Sequence, residues 1–220
     1  MKQVCKIGVF DSGKGGEIVG QAIKKALPKA EIIVVDDVAN LPYGSKTAEQ
    51  VSKLTDAAIQ PLLQAKCHLI VIACNTATAL AIKNLRAKYS TQKFVGFEPM
   101  IKPAASLTKT GIIGICATPA TIKSDNYQRL KQLYATGITV IEPDCSDWAS
   151  LIQNQQITTA DIKLVTDELC SQRADAIALA CTHYHLIKEQ IQELVGPNVQ
   201  VIEPTVSVIK RIKNLLEIRD

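Results

Sequence analysis

The sequence predicts an α/β protein of two similar parallel-sheet domains, related by a pseudo-twofold axis, with the active site in the cleft between them. Three observations carry that expectation. Short apolar runs alternate with stretches of helical period along the whole chain, which is the spacing of parallel strands joined by right-handed crossovers. The two halves also repeat one plan: Ile7-Gly8-Val9-Phe10-Asp11-Ser12-Gly13 leads to Val71-Ile72-Ala73-Cys74-Asn75-Thr76, and Ile113-Gly114-Ile115-Cys116-Ala117-Thr118 leads to Ala178-Leu179-Ala180-Cys181-Thr182-His183. The spacings from Gly8 to Cys74 and from Gly114 to Cys181 differ by a single residue. Finally, a duplicated unit offers two thiols to one ligand from opposite sides, as needed to remove a proton from one face of a carbon and return it to the other.

In the first half, residues 6–10 form a short apolar run, and residues 17–27 have helical spacing stopped by Pro28. Residues 31–35 are β-branched and read as the second strand. A helix over about residues 47–65 contains Pro61, which should kink it or end it early. Residues 69–73 read as a buried strand, 77–89 as a helix and 94–97 as a strand. The pattern then restarts, with strands over 111–115, 139–141, 174–180 and 199–202 and helices over 124–134, 158–170 and 183–194, the last stopped by Gly196-Pro197. A boundary is expected near Glu98-Pro99, and a closing helix over about 206–217 is expected to return to the first domain. The domains are therefore residues 1–97 with 206–220, and residues 98–205.

Composition narrows the classes of function. With 47% hydrophobic and 21% charged residues, the 220-residue chain has the make-up of a globular protein with a sizeable core. Its net charge of +4 is mild, and Lys210-Arg211-Ile212-Lys213 reads as the wet face of a last helix, so no nucleic-acid partner is expected. Residues 1–6 run straight into a strand without the apolar run of a signal peptide, and no stretch reaches the roughly 18 apolar residues of a membrane span, so no membrane partner is expected. The seven cysteines are odd in number and contain no Cys-x-x-Cys pair, which argues against a disulfide framework or a zinc site and for reduced thiols in the cytoplasm.

Open parallel sheets bind ligands at the carboxyl ends of their strands. Four segments fall there: Asp11-Ser12-Gly13-Lys14-Gly15-Gly16, Cys74-Asn75-Thr76, Ala117-Thr118-Pro119-Ala120-Thr121 and Cys181-Thr182-His183. The glycine run lacks the spacing of a phosphate loop, and Ile18 stands where a dinucleotide fingerprint needs its third glycine. What remains is a tight turn before a helix, with backbone amides suited to a small anion such as a carboxylate.

Cys5, Cys67, Cys116, Cys145 and Cys170 read as small buried apolar residues. Cys74 and Cys181 differ, because each follows a strand and precedes hydroxyl or amide donors at a helix N-terminus, where a thiol pKa is expected to fall below its usual ~8.5. Asp11 is placed to orient or deprotonate Cys74, its ordinary alternative being a helix N-cap. His183 is placed to serve Cys181 in the same way, since imidazole titrates near neutrality; His68 and His185 are less well placed. As a metal pair Cys181 and His183 lack further ligands nearby, so no metal is expected.

Val9-Phe10-Asp11-Ser12-Gly13-x-Gly15-Gly16, Leu41-Pro42-Tyr43-Gly44, Ala73-Cys74-Asn75-Thr76-Ala77, Glu98-Pro99, Ala117-Thr118-x-x-Thr121 and Cys181-Thr182-His183-Tyr184 together resemble the cofactor-independent aspartate/glutamate racemase family, and the glutamate racemases within it. The resemblance runs in order over about residues 7–204. It implies a two-base proton transfer at the α-carbon of glutamate: Cys74, assisted by Asp11, takes the proton from D-glutamate, and Cys181, assisted by His183, takes it from L-glutamate. It further implies that Ser12, Tyr43, Gly44, Asn75, Thr76, Thr118 and Thr182 hold the substrate's carboxylates and amino group. No metal, pyridoxal phosphate or flavin is implied; a homodimer is common in the family, and the product D-glutamate would supply peptidoglycan synthesis. The alternatives are a racemase of another amino acid, aspartate first, and a carboxylate-binding relative without turnover. The chain departs from the family pattern at Lys14 for an apolar residue, at His185 for a proline, and at Gln153, where an ungapped match from Cys145 expects a Glu supporting the second half of the site.

Overall fold

A computed structural model describes residues 4–218; the reading of Met1-Lys2-Gln3 as the run-in to the first strand lies outside them. The chain forms two compact units, one ending at Phe97 and resuming at Thr205, the other running from Glu98 to Pro204. Each contains one four-stranded parallel sheet flanked by helices, the α/β class that the alternating pattern predicts.

In the first unit β1 (Lys6–Asp11) is followed by α1 (Gly15–Ala26), β2 (Glu31–Asp36), 3-10 turns at Val38–Asn40 and Tyr43–Ser45, α2 (Ala48–Ala58), α3 (Gln60–Gln64), β3 (Leu69–Ile72), α4 (Asn75–Lys88) and β4 (Phe94–Gly96). The strands lie in the order β2-β1-β3-β4, all parallel, with Ile7 opposite Leu69 and Phe10 opposite Ile72. Every residue of β3 is buried, as a strand covered by helices on both faces must be. Successive side chains point to opposite faces, so Val9 and Val71 pack on one side with Val19 and Ile23 of α1, while Phe10 and Ile72 pack on the other with Val51, Leu62 and Leu85. The expected helix over 47–65 divides at Ile59, which places Pro61 in the first turn of α3, where its missing amide proton costs no helical hydrogen bond.

The second unit holds α5 (Ile101–Leu107), β5 (Ile112–Ala117), α6 (Pro119–Ile122), α7 (Asp125–Tyr134), β6 (Thr139–Ile141), α8 (Trp148–Gln153), α9 (Thr159–Ser171), β7 (Ala176–Ala180), a 3-10 run at Thr182–Ile187, α10 (Lys188–Val195) and β8 (Gln200–Ile202). Its sheet order, β6-β5-β7-β8, repeats that of the first unit. The helix expected over 183–194 therefore begins as a 3-10 run, and only from Lys188 does it become α-helical. A last helix, α11 (Thr205–Leu215), inserts Val208 and Ile212 into the core on the α1 side of the first sheet. No helix among the described residues is long and apolar enough to cross a membrane.

One glycine bears directly on the site. A Cβ on Gly16 would lie 2.8 Å from the Cβ of Asp11, so the bare backbone there is what lets the first turn of α1 lie against that carboxylate's stem.

Candidate active site

In the first unit the carboxyl ends of β1 and β3 bring Asp11, Ser12 and Cys74 together. Cys74 is the N-cap of α4: its sulfur accepts the Ala77 amide at 3.5 Å and the Ser12 hydroxyl at 3.2 Å. This cap explains why α4 begins at Asn75, two residues earlier than its helical period indicates. The expected acid shift of this thiol is overturned. Burial, and after it the nearby Asp11 carboxylate, push Cys74 up from 9.0 to about 11, and the Ser12 and Ala77 hydrogen bonds recover only part of that. A helix N-terminus is worth about 0.3–1 kcal/mol in ordinary settings, whereas the net rise corresponds to roughly 3 kcal/mol, so burial and charge win. Asp11 is itself fully buried, and its Oδ1 accepts the Gly13 amide at 2.8 Å. It is not the helix cap, a position taken by Lys14, and it occupies one amide of the turn that was expected to await an anion.

The other predicted residues of the unit lie on the 3-10 turn at Tyr43–Ser45 and in the first turn of α4. Tyr43 is buried, its ring 6.3 Å from Phe10, and its hydroxyl donates to Asp37 Oδ2 at 2.7 Å. Burial and Asp37 hold the phenol far above its ordinary pKa, and the charge of Cys74 acts in the same direction. Gly44 follows in the same 3-10 turn. Asn75 donates through Nδ2 to the Phe97 carbonyl at 2.9 Å, while its Oδ1, on a side chain only 3% exposed, has no hydrogen-bond partner among the described residues. A buried acceptor left so costs about 1–3 kcal/mol unless a ligand donates to it. Thr76 is buried beside it.

In the second unit Thr118 ends β5 and caps α6, its Oγ1 accepting the Thr121 amide at 3.4 Å and lying 3.0 Å from the Thr121 hydroxyl. Cys181, Thr182 and His183 follow β7 and are all buried. His183 Nδ1 lies 3.8 Å from the Cys181 sulfur, and His183 Nε2 lies 2.9 Å from Gln153 Oε1 at the end of α8. The ungapped match from Cys145 thus reaches the residue that touches the imidazole. Titration of His183 near neutrality is overturned: burial first, then the neighbouring His185, lower it to about 4. The ring is neutral at ordinary pH.

Behind this half-site Tyr184 donates to the Cys145 carbonyl at 2.8 Å and meets Trp148 edge-on at 5.3 Å. Cys116 and Cys145 are buried in the same core as Cys181, and Cys116 together with burial pushes the Cys145 thiol far up. Cys67 is buried as expected, but Cys170 is exposed on α9 and Cys5, packed against the core on the α1 side, is only half-buried. None of the seven cysteines forms a disulfide. His185 is half-buried, with Nδ1 3.7 Å from Glu203. Among the described residues no group of three or more His, Cys, Asp and Glu side chains is placed to hold a metal ion. Sequence reasoning missed Asp37, the partner of Tyr43 just beyond β2; its place at a strand's carboxyl end was the available signal.

Each unit thus sets one thiol at the carboxyl end of its third strand with one titratable neighbour, which defines a class of α/β proteins with a strand-end thiol in each of two repeated sheets. A family profile for Asp/Glu/hydantoin racemase matches residues 16–212, and the chain belongs to that family. It is 38% identical over 218 residues to a glutamate racemase of Herpetosiphon aurantiacus, covering 97% of this chain and 85% of that one. It is also 38% identical over 219 residues to a glutamate racemase of Aliarcobacter butzleri, covering 96% and 84%. Among solved structures, Escherichia coli glutamate racemase in complex with L-glutamate and the activator UDP-MurNAc-Ala superimposes with a TM-score of 0.89 at 27% identity, over 99% of this chain and 84% of that one. Francisella tularensis glutamate racemase in complex with D-glutamate gives 0.83 at 29% identity, over 97% and 81%.

Proposed function

We propose that this protein interconverts L- and D-glutamate without a cofactor, by a two-base transfer in which Cys74 and Cys181 act on opposite faces of the α-carbon. The observation that carries the reading is the pairing of each strand-end thiol with its own helper: Cys74 with the Asp11 carboxylate and Ser12 hydroxyl, Cys181 with the His183 imidazole.

Racemisation needs one thiol protonated and the other ionised at the start of each turnover. Cys74, with its pKa near 11, rests as the thiol, the form that delivers a proton to the carbanion in the L-to-D direction. Cys181 then serves as base, its proton passing toward the neutral His183 ring. In the D-to-L direction the roles exchange, and Asp11 is the group that competes with Cys74 for the proton. Ser12, Tyr43, Gly44, Asn75, Thr76, Thr118 and Thr182 hold the substrate, with the unpartnered Asn75 Oδ1 suited to the substrate ammonium. Fixed donors around a desolvated carbanion replace the electron sink that a cofactor would supply. In a cell-wall-forming bacterium the product would feed peptidoglycan synthesis in the cytoplasm, a reducing setting that suits reactive thiols.

Purified protein is incubated separately with L-glutamate, D-glutamate and L-aspartate in deuterated water, with chiral chromatography and loss of the α-hydrogen signal as readouts. Both glutamate enantiomers should exchange and converge on an equal mixture. Exchange with aspartate alone moves the activity to another substrate, and binding without exchange overturns the enzymatic reading.

A further inference from the structure

We propose that Gln153 is a positioning residue: its side-chain carbonyl fixes the His183 imidazole in the Nε2–H tautomer, so that the Nδ1 lone pair faces the Cys181 thiol. The inference rests on the reading of Cys181 as a proton-transfer thiol and adds what makes its helper act as an acceptor.

A neutral imidazole carries one proton on two nitrogens, and the partner of one nitrogen decides the role of the other. An amide oxygen only accepts. With Gln153 Oε1 2.9 Å from Nε2, the Nε2–H tautomer makes a hydrogen bond, whereas the other tautomer sets two lone pairs against each other at that distance. Nδ1 is then left bare, 3.8 Å from the Cys181 sulfur, in position to accept the S–H proton: the S–H bond breaks, an Nδ1–H bond forms, and a thiolate and an imidazolium result. Gln153 is the last residue of α8, whose buried Trp148 and Ile152 seat the helix and whose Trp148 ring packs on Tyr184, the residue after His183. The acceptor is therefore held by the same packing that holds the imidazole.

The choice of an amide has a chemical meaning. A carboxylate at this point would fix the same tautomer but would also favour the charged ring. Gln153 orients without charge, Cys181 faces Nδ1, and the neighbouring His185 opposes protonation of the ring. The site is built for a ring that starts neutral.

The test uses the full chain labelled with ¹⁵N-histidine, which contains three histidines. Long-range ¹H–¹⁵N correlation spectra identify the protonated nitrogen of each ring, and the His183 signals are assigned by their loss in His183→Asn. At neutral pH His183 should be the Nε2–H tautomer. Gln153→Glu should keep that tautomer while moving the ring's titration midpoint up from about 4 by roughly one unit or more. Gln153→Leu should give a mixture of tautomers and lower L-to-D kcat about tenfold with little change in KM. A wild-type Nδ1–H tautomer, or a Gln153→Leu ring that keeps a pure Nε2–H state, overturns the positioning role even in an active racemase. Absence of turnover with an intact Nε2–H tautomer overturns the enzymatic reading instead, so the two failures are separable.

Discussion

Replacing Asp11 by Asn should make Cys74 more reactive and the enzyme slower, two effects of opposite sign from one change. Asp11 is fully buried, and its charge is the second-largest cause of the rise of Cys74 from 9.0 to about 11. The Asn variant keeps the shape and removes the charge, but burial, the larger cause, stays. The Cys74 midpoint should therefore fall from about 11 without returning all the way to 9.0. At pH 8 a thiol with a midpoint near 11 is about 0.1% ionised, and the thiolate fraction grows about tenfold for each pH unit by which that midpoint falls, so any fall is read directly as faster labelling. The assay is the pH dependence of iodoacetamide labelling, with the Cys74 peptide quantified by mass spectrometry so that the other six cysteines do not interfere. Turnover should fall about 10²–10⁴-fold, more in the D-to-L than in the L-to-D direction, because the variant loses the group that exchanges a proton with the thiol. Slower labelling of the variant would refute this reasoning, since it would mean that Asp11 stabilises the thiolate rather than opposing it.

Cys74→Ser and Cys181→Ser should each abolish racemisation by several orders of magnitude with the fold intact by circular dichroism, whereas Cys170→Ser on the exposed face of α9 should keep wild-type turnover. Gly16→Ala should displace Asp11, since the added Cβ meets the Asp11 Cβ at 2.8 Å, and D-to-L kcat should fall more than thermal stability does when both are measured on the same preparation. Burial lowers His183 in the folded state from 6.5 to about 4, so between those values the unfolded chain binds the extra proton. Stability is then full above pH 6.5 and is lost as pH falls toward 4, by on the order of 3 kcal/mol from this group. Urea melts of His183→Asn across that window should show a shallower acid limb than wild type, and identical limbs would contradict the burial account.

The alternation of strands and helices was legible because parallel strands covered on both faces must be continuous apolar runs, as β3 and β7 are. The strand-end placement of Asp11, Cys74, Thr118 and Cys181 followed from the same pattern. Protonation was not legible, because it depends on what packs around a group: a local rule about helix ends pointed Cys74 downward, and burial with Asp11 carried it upward. The 3-10 run holding His183 escaped notice because hydrophobic period does not distinguish a bond to the third residue from one to the fourth. Gln153 was found only by matching outward from Cys145; nothing in its own neighbourhood announces a partner thirty residues away. The Tyr43–Asp37 bond was missed for a plainer reason, since an aspartate after a strand is also an ordinary turn residue.

The placement of α11 carries a consequence for how this chain comes to exist in a cell. Val208 and Ile212 complete a core whose other walls are Ile7 and Val9 of β1 and Val19 and Ile23 of α1. During synthesis those early segments leave the ribosome while the residues that cover them are still untranslated, and the whole of the second unit, Glu98 to Pro204, is made in between. The intervening unit has its full sequence available before its host does, reversing the usual order in which the N-terminal part of a protein matures first. Until α11 arrives, α1 alone covers that flank of the nascent sheet and part of it stays exposed, apolar surface of the kind that drives aggregation. The core of the first unit is therefore completed only once α11 has emerged.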